Sequence, residues 1–346
     1  MSNDPTAHPL HPPLSPLPDD AEVVVVIPAL HAGPAIGRAV ASALRQDLVG
    51  DVVVAAGDPD TADAARAAAD GDPRLRVVDN PTGRTPDALN AAIAASDAEV
   101  VVRLDAHAVL PPGYVTRAVE TLRRTGAANV GGRQVPVADR GFARAVAVAM
   151  TSPAGAGGAT YRVGGPEGEV DTVYLGVFRR EALNAVGHYD PRFTRNQDAE
   201  LNVRLRAAGY AVWFDPKLAV DYRPRDTVRG LASQYLQYGR WRRLTARTHQ
   251  GSLGPRQLAA PTLVAGLGAA LVLAAMTGFW PLFGLALATY VAALVVAAAP
   301  FVPTLRLVPQ VVVALGTMHL AWGIGFLLGP PRMAHVERSR PGDADR

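Results

Sequence analysis

The chain has 346 residues, a formal net charge of +3 and no cysteine. Without thiols it can hold no disulfide, no thiolate nucleophile and no zinc–thiolate site. The charge is small in total but unevenly placed. Seven arginines (Arg223, Arg225, Arg229, Arg240, Arg242, Arg243 and Arg247) stand against one acid, Asp226, between positions 223 and 247, and Arg306 is the only charged residue from 258 to 329. A neutral apolar block behind an arginine-rich one is how a cytoplasmic domain meets a bilayer. A nucleic-acid-binding face fits less well, because interleaved aromatics and any hairpin or zinc motif are missing.

Residues 1–20 include six prolines and few large apolar side chains, and they read as a disordered lead-in. No basic stretch followed by an apolar core marks a secretory signal there. Residues 22–27 (E-V-V-V-V-I) form an unbroken β-branched run stopped by Pro28, the pattern of a strand buried on both faces of a parallel sheet. A helix is expected over 35–46, with Ile36, Val40 and Leu44 on one face, then a strand over 51–56 and an alanine-rich helix over 61–69. A short strand over 75–78, a helix over 87–95 and a strand over 99–104 complete four strand–helix alternations, the pattern of a doubly wound α/β domain. Such sheets bind ligands at the carboxyl ends of their strands. Residues 28–30, 57–60 and 105–107 are therefore expected to converge on one crevice.

The pattern loosens after Pro111. A helix over 114–125 and a strand over 127–137 precede a small-residue stretch, 152–168, that reads as a mobile loop. A strand over 171–178, an amphipathic helix over 199–208 ended by Gly209 and a strand over 212–214 follow. Three apolar spans, 258–276, 280–299 and 308–328, are each long enough to cross a bilayer as a helix. The organisation expected is a lead-in over 1–20, an α/β domain over 21–222, a basic juxtamembrane segment over 223–257, about three transmembrane helices over 258–329 and a polar tail over 330–346. Arg306 fits a cytoplasmic turn, but the basic tail from Arg332 conflicts with three full crossings under the positive-inside trend. A re-entrant span is the alternative.

Asp105 and His107 stand two apart directly after a strand, so both side chains can point the same way. A carboxylate and an imidazole suit Mn²⁺ or Mg²⁺ with phosphate oxygens completing the shell, although most such triplets are turns. Asp198 and Glu200 open the helix that follows. An acid there is ordinarily a helix-end stabiliser, and its functional alternative is a general base. Residues 237–241 (Q-Y-G-R-W) read as a juxtamembrane basic helix with an interfacial tryptophan, or else as a place where Arg240 pairs with a diphosphate and Trp241 lines an acceptor pocket.

The order V-V-V-V-I-P-A-L, D-V-V-V-A-A-G, N-P-x-x-x-x-P-x-A-L-N, V-R-L-D-A-H and N-Q-D-A-E-L-N resembles glycosyltransferase family 2, with its GT-A fold. More narrowly, D-A-H, Y-L-G-V-F-R-R and N-Q-D-A-E-L-N resemble its succinoglycan-biosynthesis, ExoA-like subgroup. The resemblance covers roughly residues 23–247. It implies a GT-A catalytic domain, Rossmann-like with a mostly parallel sheet, followed by C-terminal transmembrane helices. It also implies donor and nucleotide contacts from Pro28, Ala29, Leu30, Arg84, Asn90 and Asp105. A metal would sit at Asp105, with His107 in place of the usual second aspartate. Asp198 would be the catalytic base, with Gln197 replacing the glutamate that usually precedes it. Gly176 and Arg179 would lie on the acceptor side, and Gln237, Arg240 and Trp241 match the Q-x-x-R-W motif of processive polysaccharide synthases. Ala56 stands where the family carries an aspartate that holds uracil, so Asp58 or Asp60 is expected to substitute.

The expected activity is inverting transfer from a nucleotide-sugar, a UDP-sugar for preference, to a lipid-linked or polysaccharide acceptor. The setting would be the cytoplasmic face of the cell membrane, in exopolysaccharide or cell-surface glycan synthesis. The expected partners are donor, lipid-linked acceptor and membrane lipids, not nucleic acid. A processive synthase is the alternative within the class, and an inactive membrane-bound scaffold that keeps a sugar-nucleotide fold is the alternative outside it.

Overall fold

A computed structural model describes residues 13–330. Eight strands form one sheet in the order β3-β2-β1-β4-β7-β5-β8-β6. Its first half is the parallel unit expected: β1 (Val23–Ala29), β2 (Val49–Ala56), β3 (Leu75–Asp79) and β4 (Val100–Arg103), linked by α1 (Ala35–Leu44), α2 (Pro59–Ala69) and α3 (Thr85–Ala94). Val23 through Ile27 are at most 1% exposed, because helices cover both faces of the central strand. One apolar layer packs α1 and α4 (Tyr114–Thr125) on the side of Val23, Val25 and Ile27; the other packs α3 on the side of Val24 and Val26.

The second half is mixed. β7 (Tyr174–Arg179) lies antiparallel between β4 and β5 (Asn129–Pro136), and β5 pairs in parallel with β8 (Val212–Tyr222). β8 runs eight residues beyond the strand expected to end at 214, because Asp215 is fully buried and answered by Arg117 and Thr121. The edge strand β6 (Gly168–Glu169) closes the order. Stretch 152–168, expected to be a mobile loop, instead holds two short helices, α6 (Pro153–Ala156) and α7 (Thr160–Val163), the first capped by Ser152. Ahead of it lies α5 (Gly141–Thr151), and after β7 come α8 (Arg180–Val186) and α9 (Gln197–Ala207).

The lead-in departs from expectation where it is described. Ser15 bonds the Glu181 carboxylate, the Pro18 carbonyl accepts from Arg123, and Leu14 and Leu17 pack against the core. The remainder of 1–20, and the tail from 331, lie outside the described residues.

A long helix, α10 (Val228–Thr248), carries the arginine-rich segment. Three helices long and apolar enough to cross a membrane follow: α11 (Pro255–Thr277), α12 (Trp280–Ala298) and α13 (Val308–Leu328). Leu271, Val272, Met276, Leu285, Val296 and Leu328 are exposed on them, an apolar surface that suits lipid and not water. α13 is the seam. Its stripe Val311, Ala314, Leu315, Met318 and Ala321 packs on α5, α10 and α12, and close crossing is possible because glycines meet backbone. A Cβ at Gly239 would fall 2.0 Å from the Trp322 carbonyl oxygen, and one at Gly325 would fall 2.1 Å from that of Leu236.

Candidate active site

The parallel strands bring their carboxyl ends to one edge. The Gly57 amide donates to the Ala29 carbonyl at 2.8 Å, and the Leu104 amide to that of Val26 at 3.0 Å. Leu30, 44% exposed, lies over the loops that hold Gly57 and Gly83. Loops 28–30, 57–60 and 80–84 thus share one rim, and Asp105 follows β4 on the same side.

Arg103, the last residue of β4, organises the centre. Its side chain is 7% exposed, and its Nε and Nη2 donate to Asp105 Oδ1 at 3.2 and 2.9 Å. Its remaining nitrogen, Nη1, makes an ion pair with Asp198 Oδ1. Two carboxylates 93 positions apart therefore hold one guanidinium between them. Asp198 lies in the first turn of α9, whose N-terminal flank is Asn196 in the left-handed conformation at φ +61°. Asp198 accepts no backbone amide bond among the described residues, so the helix-capping alternative is set aside there. Its side chain is 41% exposed, leaving Oδ2 open to the cleft.

Two phenols wall this pair. The Tyr189 ring is 1% exposed, and burial pushes its hydroxyl up to about 12, opposed by Arg103. Tyr174 is also held protonated well above its ordinary range, by burial and then by Asp105. It sits at an irregularity of β7, where Leu175 takes φ +47° and the pairing with β5 slips. A left-handed residue within a strand re-aims a neighbouring side chain.

The other expected residues divide. Asp58 accepts from the His31 amide at 2.7 Å, the Thr61 amide at 2.9 Å and the Thr61 hydroxyl at 2.8 Å. These bonds hold its pKa below the usual carboxylate range and commit it to capping α2. Asp60, in the same turn, is exposed. Arg84 stands at the rim, paired with Asp87 at 2.7 Å. His107 is exposed two residues beyond Asp105.

Four of the expected residues are engaged in contacts within the protein. Asn90 Nδ2 donates to the Tyr189 carbonyl at 2.8 Å and its Oδ1 accepts the Tyr189 amide at 3.0 Å. Arg179 pairs with Val100 at the start of β4, the sheet edge opposite Asp105, and engages the Ser15 carbonyl and Glu181. Gly176 is a packing residue, since a Cβ there would fall 2.5 Å from Asn129 Oδ1 and the Phe178 ring. Trp241, 7% exposed, is buried against Phe193 with ring centres 6.3 Å apart. Gln237 and Arg240 are half-buried on α10 and lie in none of the ion pairs among the described residues.

Sequence reasoning missed two features. Arg103 was visible only as a lone charge at the end of an apolar strand. Glu200, fully buried, pairs with Arg204 at 2.8 Å and with His249 at 2.9 Å, tying α9 to the end of α10.

At the carboxyl end of a doubly wound α/β sheet, a strand-end aspartate and a second acid from a distant helix thus share one buried arginine. Residues 24–187 match the family described as glycosyl transferase family 2. The chain is 33% identical over 317 residues to the succinoglycan biosynthesis protein ExoA of Rhizobium meliloti (strain 1021), covering 88% of this chain and 93% of that protein. ExoU of the same organism, also a succinoglycan biosynthesis protein, is 42% identical over 95 residues, 27% of this chain and 28% of its own. In structure, the mannosyltransferase PcManGT of Pyrobaculum calidifontis, solved with GDP-Man and Mn²⁺, matches with a TM-score of 0.60 and 20% identity over 89% of this chain and 87% of that one, a likeness of fold. The chain belongs to glycosyl transferase family 2 and is a glycosyltransferase.

Proposed function

We propose that the chain transfers a sugar, with inversion, from a nucleoside-diphosphate sugar to a lipid-linked or polysaccharide acceptor at the cytoplasmic membrane face, in exopolysaccharide or cell-surface glycan synthesis. The observation that supports this reading is the Asp105–Arg103–Asp198 bridge, which brings the expected metal-site and base carboxylates onto one guanidinium. Similarity to ExoA supports the biosynthetic setting, and the three apolar helices support the membrane.

The acceptor hydroxyl oxygen attacks the anomeric carbon, and Asp198 Oδ2 takes its proton. The bond from that carbon to the diphosphate oxygen breaks, and its electron pair leaves with the nucleoside diphosphate. Arg103 orients Asp198 by pairing its other oxygen. Tyr174 and Tyr189 flank Arg103 and Asp105 on the buried side.

Asp105 and His107 would hold a divalent cation. Among the described residues no three His, Cys, Asp or Glu side chains cluster, but Asp105 keeps its second oxygen free of hydrogen bonds. One or two protein ligands suit Mg²⁺ or Mn²⁺ when diphosphate oxygens complete the shell. When bound, such an ion neutralises charge on the leaving group. PcManGT was solved with GDP-Man and Mn²⁺, which supports a donor of this chemistry. With Asp58 committed to its cap, the UDP preference is tested directly: membranes carrying the protein are given labelled UDP-, GDP- and dTDP-sugars with and without Mn²⁺. Metal-dependent labelling of lipid from one donor is expected; no transfer from any donor defeats the reading.

A further inference from the structure

Arg162, on α7, is 9% exposed, and among the described residues it takes part in no ion pair. Its surroundings are aromatic. Its Cζ lies 5.4 Å from the Tyr161 ring centre and 5.9 Å from that of Tyr235, and its Nη1 donates to the Tyr235 hydroxyl at 2.7 Å. Its Nε, buried, has no hydrogen-bond partner. A guanidinium withdrawn from water without an opposing carboxylate is costly, and ring faces and one phenol oxygen compensate only part of that cost.

The position matters as much as the missing acid. Tyr235 belongs to α10 and to the apolar cluster that α13 shares with α5. Tyr238, one turn on, stacks edge-on against Tyr235 at 5.4 Å, and Gln234 donates to both Tyr238 and Tyr222. Tyr222 ends β8 and lies within electrostatic range of Tyr174, which faces Asp105. Arg162 therefore lies between the membrane-side seam and the catalytic carboxylates, joined to the latter by a layer of tyrosines.

We propose that Arg162, with the hydroxyls of Tyr235 and Tyr238, forms an anion site that takes the phosphate or diphosphate of a membrane-embedded acceptor lipid. The assignment rests on the lipid-linked acceptor reading and specifies how that acceptor is held. The fork of Nε and Nη donors matches the planar geometry of phosphate oxygens. Burial holds the Tyr238 hydroxyl protonated, so it can donate to the same anion. The prenyl chain would continue into the apolar seam beside α10 and α13.

The test uses detergent-solubilised full-length protein with EDTA present, which separates this site from a metal-dependent donor site. Farnesyl diphosphate, farnesol and inorganic pyrophosphate are titrated calorimetrically into wild type, Arg162→Met and Arg162→Lys. Wild type is expected to bind farnesyl diphosphate at least tenfold more tightly than either farnesol or pyrophosphate. Arg162→Met should abolish that preference. Arg162→Lys, which keeps the charge and loses the fork, should weaken it about tenfold and serves if the methionine variant does not fold. Unchanged farnesyl diphosphate binding in both variants would overturn the site while leaving glycosyl transfer intact. Pyrophosphate binding as tightly as the lipid would overturn the lipid source. The transfer reading itself fails separately, through the donor screen.

Discussion

Replacing Arg103 with methionine removes the one group that both carboxylates share. Methionine fills the apolar volume against Tyr189 but leaves Asp105 and Asp198 facing each other without a counter-charge. Removing one partner from a buried ion pair costs about 3–5 kcal/mol. Here Asp105 is 21% and Asp198 41% exposed, so water screens part of the repulsion and a loss of about 1–3 kcal/mol is expected. In a protein of this size that is a fall of roughly 1–4 °C in the unfolding midpoint.

The effect on turnover should be larger than the effect on stability. An ordered electrostatic group at a reacting centre contributes about 10²–10³ in kcat. Arg103→Met is expected to lose that much, with donor binding weakened less. Arg103→Lys retains the charge but cannot fork between two carboxylates, and should recover only part of the loss. Because Arg103 is argued to act through Asp198, adding Asp198→Asn to Arg103→Met should cost little more than Asp198→Asn alone. Transfer from a labelled donor to lipid, with thermal unfolding in parallel, reads both effects. A methionine variant with wild-type kcat would refute the bridge as an element of the site.

Asp198→Asn should lower kcat by about 10²–10⁴ while equilibrium donor binding is kept, since it removes proton acceptance and little else. Asp105→Asn should act on the other side, abolishing the dependence of donor affinity on Mn²⁺ in a calorimetric titration. Asn90→Ala removes both hydrogen bonds that hold the Tyr189 backbone, and should cost about 1–3 kcal/mol of stability, read as a lower unfolding midpoint. Gly239→Val forces a side chain into the Trp322 carbonyl, so α10 and α13 must separate. The purified protein should then lose its cooperative unfolding transition in detergent, while Gly266→Val, with open space around it, should not.

The parallel half of the fold was legible because β1, β2 and β4 are short valine-rich runs, and their length, β-branching and flanking turn residues mark them as buried strands. β8 was largely hidden. Asp215, Pro216 and Lys217 look like a turn, and the partners Arg117 and Thr121 let a buried acid remain in a strand. At the site, Asp105 could be placed by its strand end and Asp198 by resemblance, but their common guanidinium could not. Arg103 reads as a misplaced charge until β4 and α9 are seen together. Asn90 shows the converse: it lies in a matching motif, and its amide bonds a backbone 99 residues away. A motif marks that a residue type is required, and does not say whether substrate or scaffold requires it.

That distinction bears most on the segment Gln237–Trp241. Its glycine is the contact with α13, and its tryptophan packs on Phe193, three residues ahead of the Asn196 that opens the Asp198 helix. Asn196 donates to the Thr245 hydroxyl at 2.9 Å, and Glu200 pairs with His249, so α10 grips the start of α9 at three levels. α10 is in turn fastened to the end of α13, where Arg243 donates to the Phe326 carbonyl at 2.8 Å and to that of Leu327. The proposed base is thus carried on a helix whose placement is set by an apolar one. A motif expected to touch sugar does its part here by fixing where Asp198 stands relative to the membrane-side seam. This also explains why Gly239 tolerates no side chain although it lies far along the chain from either carboxylate.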